Sequence, residues 1–367
     1  KGSVGTSSSG FPPHLGRALP LGKVYTMKAV VAHGANDLRV DEISIPEPAT
    51  GEVLIAMEWG GICGSDISYW KNGASGTAIL REPLILGHEV AGRVAKLGAD
   101  VTGVEEGVAV TIHPATLVGN HTMPESTAGR TNLWPEVRYF GSGAFLPHEQ
   151  GGFSEFRTAR VDQLRLLPDN LTTKEGAVAE PLGVALHAVN RAGDVAGRTV
   201  LVNGAGPIGA LTVAALKFRG AGQIFVSDLS EGALRVAEEV GADELVNLSA
   251  GEGLPQDVEI AFEASGASAA IGSVLAATQR GGTVVQVGNF PGSEITALLG
   301  NIVTREINYL GSYRFDDEIT DAVHMMAEGF DISPVMTHEF SIDDALEAFE
   351  TAADRSTGSS KVMLKLS

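Results

Sequence analysis

The chain has 367 residues, of which 44% are apolar, only 19% are charged and 46 are glycine. That length allows about two domains of roughly 100 to 200 residues each, and the composition excludes extended disorder and fibrous structure in favour of a soluble, glycine-rich α/β enzyme. A formal net charge of −19 at pH 7 argues against nucleic acid and anionic membranes as partners, and the lone cysteine, Cys63, excludes internal disulfides and Cys-rich metal sites and points to a reducing cytoplasm.

Residues 1–26 are rich in Ser, Gly and Pro and lack the apolar run of a secretory signal, so they read as a flexible extension, with Met27 opening the folded unit. Over 27–180 short apolar runs (MKAVVAH, GEVLIAMEW, GHEVAGRVAKLG, VAVTIHP, LRLLP) are broken by Gly and Pro, the pattern of a compact β-rich domain. The period changes near Thr172. Helices are expected over Thr173–Ala179 and Leu182–Ala192, followed by strands at Thr199–Asn203, Gln223–Ser227, Glu244–Asn247, Val258–Glu263, Thr283–Val287 and Glu306–Leu310 that alternate with helices. Six such strands make a doubly wound parallel sheet, so 181–315 is predicted to be a Rossmann domain. Two helices, Asp317–Glu328 and Ile342–Ala353, and a closing strand, KVMLKL, lie outside that unit; 316–367 should return to the first domain. The most apolar stretch, Thr199–Leu216, is interrupted by Asn203, Pro207 and glycines, which suits a strand, turn and helix and not a membrane span.

GAGPIG spans Gly204, Ala205, Gly206, Pro207, Ile208 and Gly209, after an apolar strand and at the start of a helix, the context that a dinucleotide-binding turn requires. Gly204 permits the tight turn, Gly206 lets the backbone approach a pyrophosphate, Gly209 allows helix and strand to pack, and the helix N-terminus offers free N–H groups. Asp228, at the end of the second strand, can accept hydrogen bonds from ribose hydroxyls and, with Glu231 close behind, repels a 2′-phosphate, which favours NAD over NADP.

A second constellation joins GICGSD (61–66), GHE (87–89) and AEPLGVALHA (179–188). Thiolate, imidazole and carboxylate are the ligands of catalytic zinc sites. The spacing alone proves little, since a lone Cys such as Cys63 is usually a small buried hydrophobe and a lone His such as His88 usually a satisfied core residue.

GHEVAGRVAKLGADV, Gly87 to Val101, resembles the signature of the zinc-containing alcohol dehydrogenase (medium-chain dehydrogenase/reductase) superfamily, and the resemblance runs from Met27 to Ser367. It implies a GroES-like catalytic domain joined to the Rossmann domain. GGICGSD, AEPLGVALHA, YFGSGAFLPHEQGGF and GSYRF are together similar to the L-idonate 5-dehydrogenases of the sorbitol and threonine dehydrogenase branch. The resemblance implies Cys63, His88 and Glu89 as zinc ligands, Glu180 as a carboxylate binding the metal directly or through its water, Ser65 as the hydroxyl that relays the alcohol proton, and Asp66 as an orienting residue. Tyr69, His148, Phe153 and Arg314 lie in segments that resemble the substrate pocket, with Arg314 suited to a carboxylate or polyol hydroxyls. Nicotinamide is expected beside Val287, Gly288 and Asn289, at the carboxyl ends of the Rossmann strands. His187 reads as a packed helix residue.

This sequence departs from the pattern in two places. The lobe that carries a second, structural zinc in many relatives is here HPATLVGNHTMPESTAGRTNLWPE, without cysteine, so one zinc is expected and His113 and His121 read as solvated loop residues. Ser68 stands where relatives commonly place a His, which leaves the proton path beyond Ser65 to a ribose hydroxyl and water. The expected reaction is NAD- and zinc-dependent oxidation of a sugar acid, L-idonate to 5-keto-D-gluconate. Alternatives are a neutral polyol such as sorbitol or xylitol as substrate, or a non-catalytic nucleotide-binding protein. A homodimer or homotetramer is expected by analogy.

Overall fold

A computed structural model describes residues 25–290 and 294–367. The extension expected over 1–26 therefore lies almost wholly outside the described residues, and Thr26 already pairs with Ser44 in the first strand, Thr26–Gly34.

The β-rich part is built around a seven-stranded sheet. Its central strand, Glu52–Gly61, is flanked by Glu89–Leu97 on one side and, on the other, by Lys361–Lys365 near its carboxyl end and Phe156–Arg160 near its start. Ala109–Ile112 and Leu164–Leu166 extend it on one edge and Met336–Ser341 on the other. Thus a strand from the far C-terminus lies beside the centre of the first sheet. Alternate inward side chains, among them Val53, Ile55, Met57, Val90 and Val94, form one core with Phe153 and Phe349.

The second sheet is parallel throughout, in the order Glu244–Asn247, Gln223–Asp228, Thr199–Asn203, Val258–Glu263, Thr278–Gln286, Asn308–Gly311. This is the doubly wound order of two mononucleotide-binding halves, and its switch point falls between Thr199–Asn203 and Val258–Glu263. Helices cover both faces, so its strands are near-continuous apolar runs and Val200, Leu201, Val202 and Phe262 are fully buried. The sixth strand starts later than expected, at Asn308, because Glu306 adopts φ 50° and cannot extend a β-ladder. The fifth starts earlier, at Thr278, with a bulge in its pairing to Val258–Glu263.

Helix Ala179–Ala192 begins earlier than the expected Leu182, because Pro181 sits in its first turn, where a proline costs no hydrogen bond. Glu180 thereby belongs to the first turn of a buried helix that packs against Pro207–Phe218 and Glu318–Ala327. Ile342, expected in the last helix, lies in a 3₁₀ turn, Ile342–Asp344, before helix Ala345–Ala353. No helix among the described residues is long and apolar enough to cross a membrane.

Candidate active site

Three ligand-type side chains converge where strands of the first sheet end. Cys63 caps helix Gly64–Asn72, His88 precedes strand Glu89–Leu97, and Glu89 opens it opposite Gly61. A thiol sulfur, an imidazole nitrogen and a carboxylate oxygen lie within 4.8 Å of one another. Asp66, fully buried, accepts hydrogen bonds from Cys63 N (3.0 Å) and Gly87 N (3.1 Å), so it both closes the helix start and ties the two ligand loops together. The Gly87 turn (φ 95°) needs glycine because a Cβ there would meet the Phe153 ring at 2.2 Å.

Glu89 is fully buried and its Oε1 accepts from Lys361 Nζ at 2.7 Å, while Oε2 has no partner. Burial, then partly offset by Lys361 and reinforced by Glu180, raises the Glu89 carboxyl to about 7. For His88, burial opposes the charged form, yet the Cys63 and Asp66 charges outweigh it and raise the imidazole pKa well above its ordinary value. An orphaned carboxylate oxygen among S, N and O donors, in a field that favours positive charge, fits a zinc ion held by Cys63, His88 and Glu89.

Glu180 stands outside this group of three. Its Oε1 accepts from the Tyr139 hydroxyl at 2.6 Å, and burial together with Glu180 raises the phenol well above its usual range. The Arg314 guanidinium lies over the Tyr139 ring at 4.0 Å, and no ion pair to a carboxylate forms at Arg314 among the described residues. Tyr139 and Lys361 were not singled out from the sequence. Lys361 carried a signal, a lysine heading the apolar run KVMLKL; Tyr139 carried none beyond its place in YFGSG.

The remaining expected pocket residues are placed differently. Phe153 has no exposed surface and packs within the core beside Phe349, so it is not a pocket wall. His148 is buried as a backbone bracket: Nδ1–H donates to Phe145 O at 2.8 Å and Nε2 accepts from Arg81 N at 2.9 Å. Tyr69 is buried, and its hydroxyl accepts from Gly143 N at 2.8 Å. Tyr69 and His148 meet around Gly143, where an added Cβ would lie 3.3 and 3.4 Å from their rings.

Ser65 is half-buried in the first turn of its helix, two residues from Cys63, whereas the Ser68 hydroxyl donates back to Gly64 O at 2.9 Å. His187 is packed, as expected of a helix residue, and its Nδ1 meets Glu318 at 2.8 Å. Burial of Glu318 would raise its pKa, but the His187 hydrogen bond and charge together with backbone N–H donors outweigh it and lower the carboxyl to about 2. His113 is not a solvated loop residue: it is half-buried, donates from Nε2 to Asp316 O at 2.7 Å and packs on Phe315, joining the cysteine-free lobe to the returning C-terminal segment. His121 is exposed, with its ring edge-on to Trp134, whose indole N–H donates to Val118 O at 2.7 Å inside that lobe.

At the second sheet, Gly204 takes φ 96°, Gly209 approaches Gly204 O so closely that a Cβ would lie 1.8 Å away, and Gly206 faces open space. Pro207 opens the helix, and Ile208 O accepts from Thr212 within it. Asp228 accepts from Ala205 N (2.7 Å) and Ser230 N (2.9 Å), one bond on each oxygen, which leaves each a lone pair for a ribose hydroxyl. Gly288 N donates to Glu263 O at 2.8 Å and Asn289 is exposed beside it.

The sequence profile of the alcohol dehydrogenase GroES-like domain matches residues 49–169, and that of the zinc-binding dehydrogenases matches 207–328. Sorbitol dehydrogenase of Bos taurus is 38% identical over 338 residues, covering 88% of this chain and 92% of its own length. The chain is a zinc-containing medium-chain dehydrogenase of the sorbitol dehydrogenase branch. Human sorbitol dehydrogenase is likewise 38% identical over 337 residues, covering 88% of this chain and 92% of its own length. The structure of L-idonate 5-dehydrogenase from Escherichia coli K-12 MG1655 superposes with a TM-score of 0.86 at 32% identity, covering 94% of this chain and 99% of that one. A Sinorhizobium meliloti 1021 structure bound to NADP gives 0.84 at 31% identity, covering 93% and 99%. With the family come a GroES-like and a Rossmann domain, a catalytic zinc, a nicotinamide nucleotide, and the oxidation or reduction of an alcohol or polyol.

Proposed function

We propose that this dehydrogenase oxidises the C5 hydroxyl of a sugar acid, L-idonate, to the ketone 5-keto-D-gluconate, with NAD as acceptor. The observation that carries the sugar-acid reading is Arg314. It stacks on Tyr139 without a carboxylate partner among the described residues, next to the Tyr139–Glu180 hydrogen bond, so its guanidinium fork is available to the carboxylate of a substrate. The sorbitol dehydrogenases at 38% identity favour a second reading, a neutral polyol whose hydroxyls bind the same arginine.

Zinc held by Cys63, His88 and Glu89 would supply a Lewis acid that lowers the pKa of the substrate hydroxyl, and NAD would supply the hydride acceptor. The chain's own residues do the rest. Ser65 takes the proton at Oγ, Arg314 orients the substrate, Tyr139 fixes Glu180, and Asp66 and Lys361 fix the ligand loops. Asp228, with Glu231 nearby, selects NAD: a 2′-phosphate would lose the ribose hydrogen bonds and meet two carboxylates, and each ~1.4 kcal/mol of that cost is tenfold in affinity. The expected assembly is a dimer or tetramer, readable by light scattering.

Initial rates over L-idonate, sorbitol and xylitol, each with NAD and NADP, test the reading. L-idonate with NAD is expected to give the highest kcat/KM, at least about tenfold above sorbitol and above NADP. Sorbitol preferred over L-idonate would overturn the sugar-acid assignment, and equal efficiency with NADP would overturn the role given to Asp228.

A further inference from the structure

Four adjacent strands of the parallel sheet each contribute one polar side chain near their carboxyl ends to a continuous hydrogen-bonded row, which Tyr309 of the next strand extends. Ser227 Oγ donates to Asn203 Oδ1 (2.8 Å), and Asn203 Nδ2 to Glu263 Oε1 (3.2 Å). Gln286 Nε2 donates to Glu263 Oε2 (2.6 Å), and the Tyr309 hydroxyl to Gln286 Oε1 (2.7 Å). Ser227, Asn203, Glu263 and Gln286 are consecutive register partners across four strands, so they share one face of the sheet.

The centre of the row is Glu263, 1% exposed. Besides Asn203 and Gln286, its carboxylate accepts from Ser265 N (3.0 Å), Ser265 Oγ and Gly266 N (3.1 Å). Every one of these donors is neutral, and no lysine or arginine reaches Glu263 among the described residues. Burying a carboxylate with no cation beside it is costly, and a neutral glutamine or an apolar residue would fill the same place in an ordinary sheet more cheaply.

What the carboxylate connects explains its presence. Asn203 directly precedes Gly204, and Ser227 directly precedes Asp228. The Glu263 carbonyl accepts from Val287 N (2.9 Å) and Gly288 N (2.8 Å), while Gln286 Nε2 also donates to Gly288 O (2.7 Å). The three loops are in near contact: a Cβ at Gly204 would lie 2.7 Å from Ser265 N, and one at Gly288 would lie 2.3 Å from Gly266 N. All of this sits at the topological switch point, where a dinucleotide lies across the strand ends.

We propose that Glu263 is a positioning residue for the nucleotide: its carboxylate, through Asn203, the Ser265–Gly266 turn and Gln286, sets the spacing of the 204–209, 264–266 and 287–289 loops and thereby the affinity for NAD. The proposal rests on the nucleotide reading of the GAGPIG turn. It acts through backbone placement, so it falls on binding and not on the chemical step.

The test is NADH binding, followed by fluorescence, in the zinc-loaded protein and in two variants. Glu263→Gln points an amide N–H₂ at groups that are themselves donors, and is expected to raise the NADH dissociation constant at least about tenfold. Gln286→Met keeps length while removing the donor, and is expected to raise it about threefold or more; it also keeps the proposal open to refutation should Glu263→Gln fail to fold. In both, the loss should appear in KM for NAD with kcat at saturating NAD little changed and zinc content equal to the parent. Folded variants that bind NADH within twofold of the parent, or that lose kcat with KM unmoved, would overturn the positioning role. A parent protein that does not bind NADH would instead overturn the nucleotide reading itself, and this inference with it.

Discussion

Replacing Ser65 by Ala is expected to lower the rate of alcohol oxidation at pH 7 by about 100- to 10,000-fold, the range of a general acid–base step, while Ser68→Ala changes it by less than about threefold. The two hydroxyls lie on one short helix, yet their surroundings differ. Ser68 turns back to donate to Gly64 O at 2.9 Å, four residues earlier, which occupies its proton in a bond within the helix. Ser65 sits in the first turn, two residues from Cys63, and no hydrogen bond of its hydroxyl is seen among the described residues. A hydroxyl can accept one proton while donating another, but it cannot store charge near neutral pH, so the role proposed for Ser65 is that of a conduit, whose loss would remove the exit for the substrate proton. Rates of both variants at matched zinc content decide the matter; a Ser68→Ala loss equal to that of Ser65→Ala would make Ser68 a relay member and the path described here wrong.

Lys361→Met is expected to destabilise the zinc-free protein by about 3–5 kcal/mol, the cost of stranding one partner of a buried ion pair. Lys361 and Glu89 are 2% and 0% exposed, and the lysine Nζ binds both Glu89 Oε1 (2.7 Å) and Ile62 O (3.2 Å). Burial would lower the lysine pKa, but the Glu89 charge and hydrogen bond together with the Cys63 and Glu180 charges outweigh it and raise it. The pH dependence has a definite sign. Glu89 titrates at about 7 in the folded protein, above the ordinary carboxylate value of 4.5, so the zinc-free parent loses stability as pH rises from about 4.5 through 7. Without Lys361 the charged form is harder still to bury. The deficit of the variant should therefore be larger at pH 8 than at pH 6, and should shrink when zinc is added and neutralises the carboxylate. Denaturant unfolding of chelated parent and variant at the two pH values measures it; a variant within about 1 kcal/mol of the parent at pH 8 would refute a structural role for the pair.

The features legible in the sequence were those in which a local backbone demand and a chemistry coincide. GAGPIG needs a glycine at 204 for a positive φ and at 209 for its close approach to Gly204 O, and the apolar run before it and Pro207 within it mark strand and helix directly. GHE similarly holds a glycine that the turn requires and two adjacent candidate ligands. Lys361 and Tyr139 were not legible, because what makes them matter is a contact 272 residues away for Lys361 with Glu89 and 41 residues away for Tyr139 with Glu180. Resemblance of a segment also fails to say which way a side chain turns. Phe153, His148 and Tyr69 lie in the recognised segments, yet they serve the core and the backbone, whereas Arg314, held at φ 50°, lays its guanidinium over Tyr139 beside Glu180. The same limit hid the row through Glu263: the strand VEIAFE reads as largely apolar, and only the register of four strands shows that their polar ends meet.

Zinc measured per chain by elemental analysis, in the parent and in Cys63→Ser, tests the catalytic-metal account most directly. One zinc per chain is expected in the parent; the variant should lose it and the activity while keeping its secondary structure, since the ligands lie on a fold whose cores are packed without them. Chelation of the parent should act in the same way and be reversed by added zinc. Two zinc ions per chain, or full activity in a zinc-free protein, would contradict it.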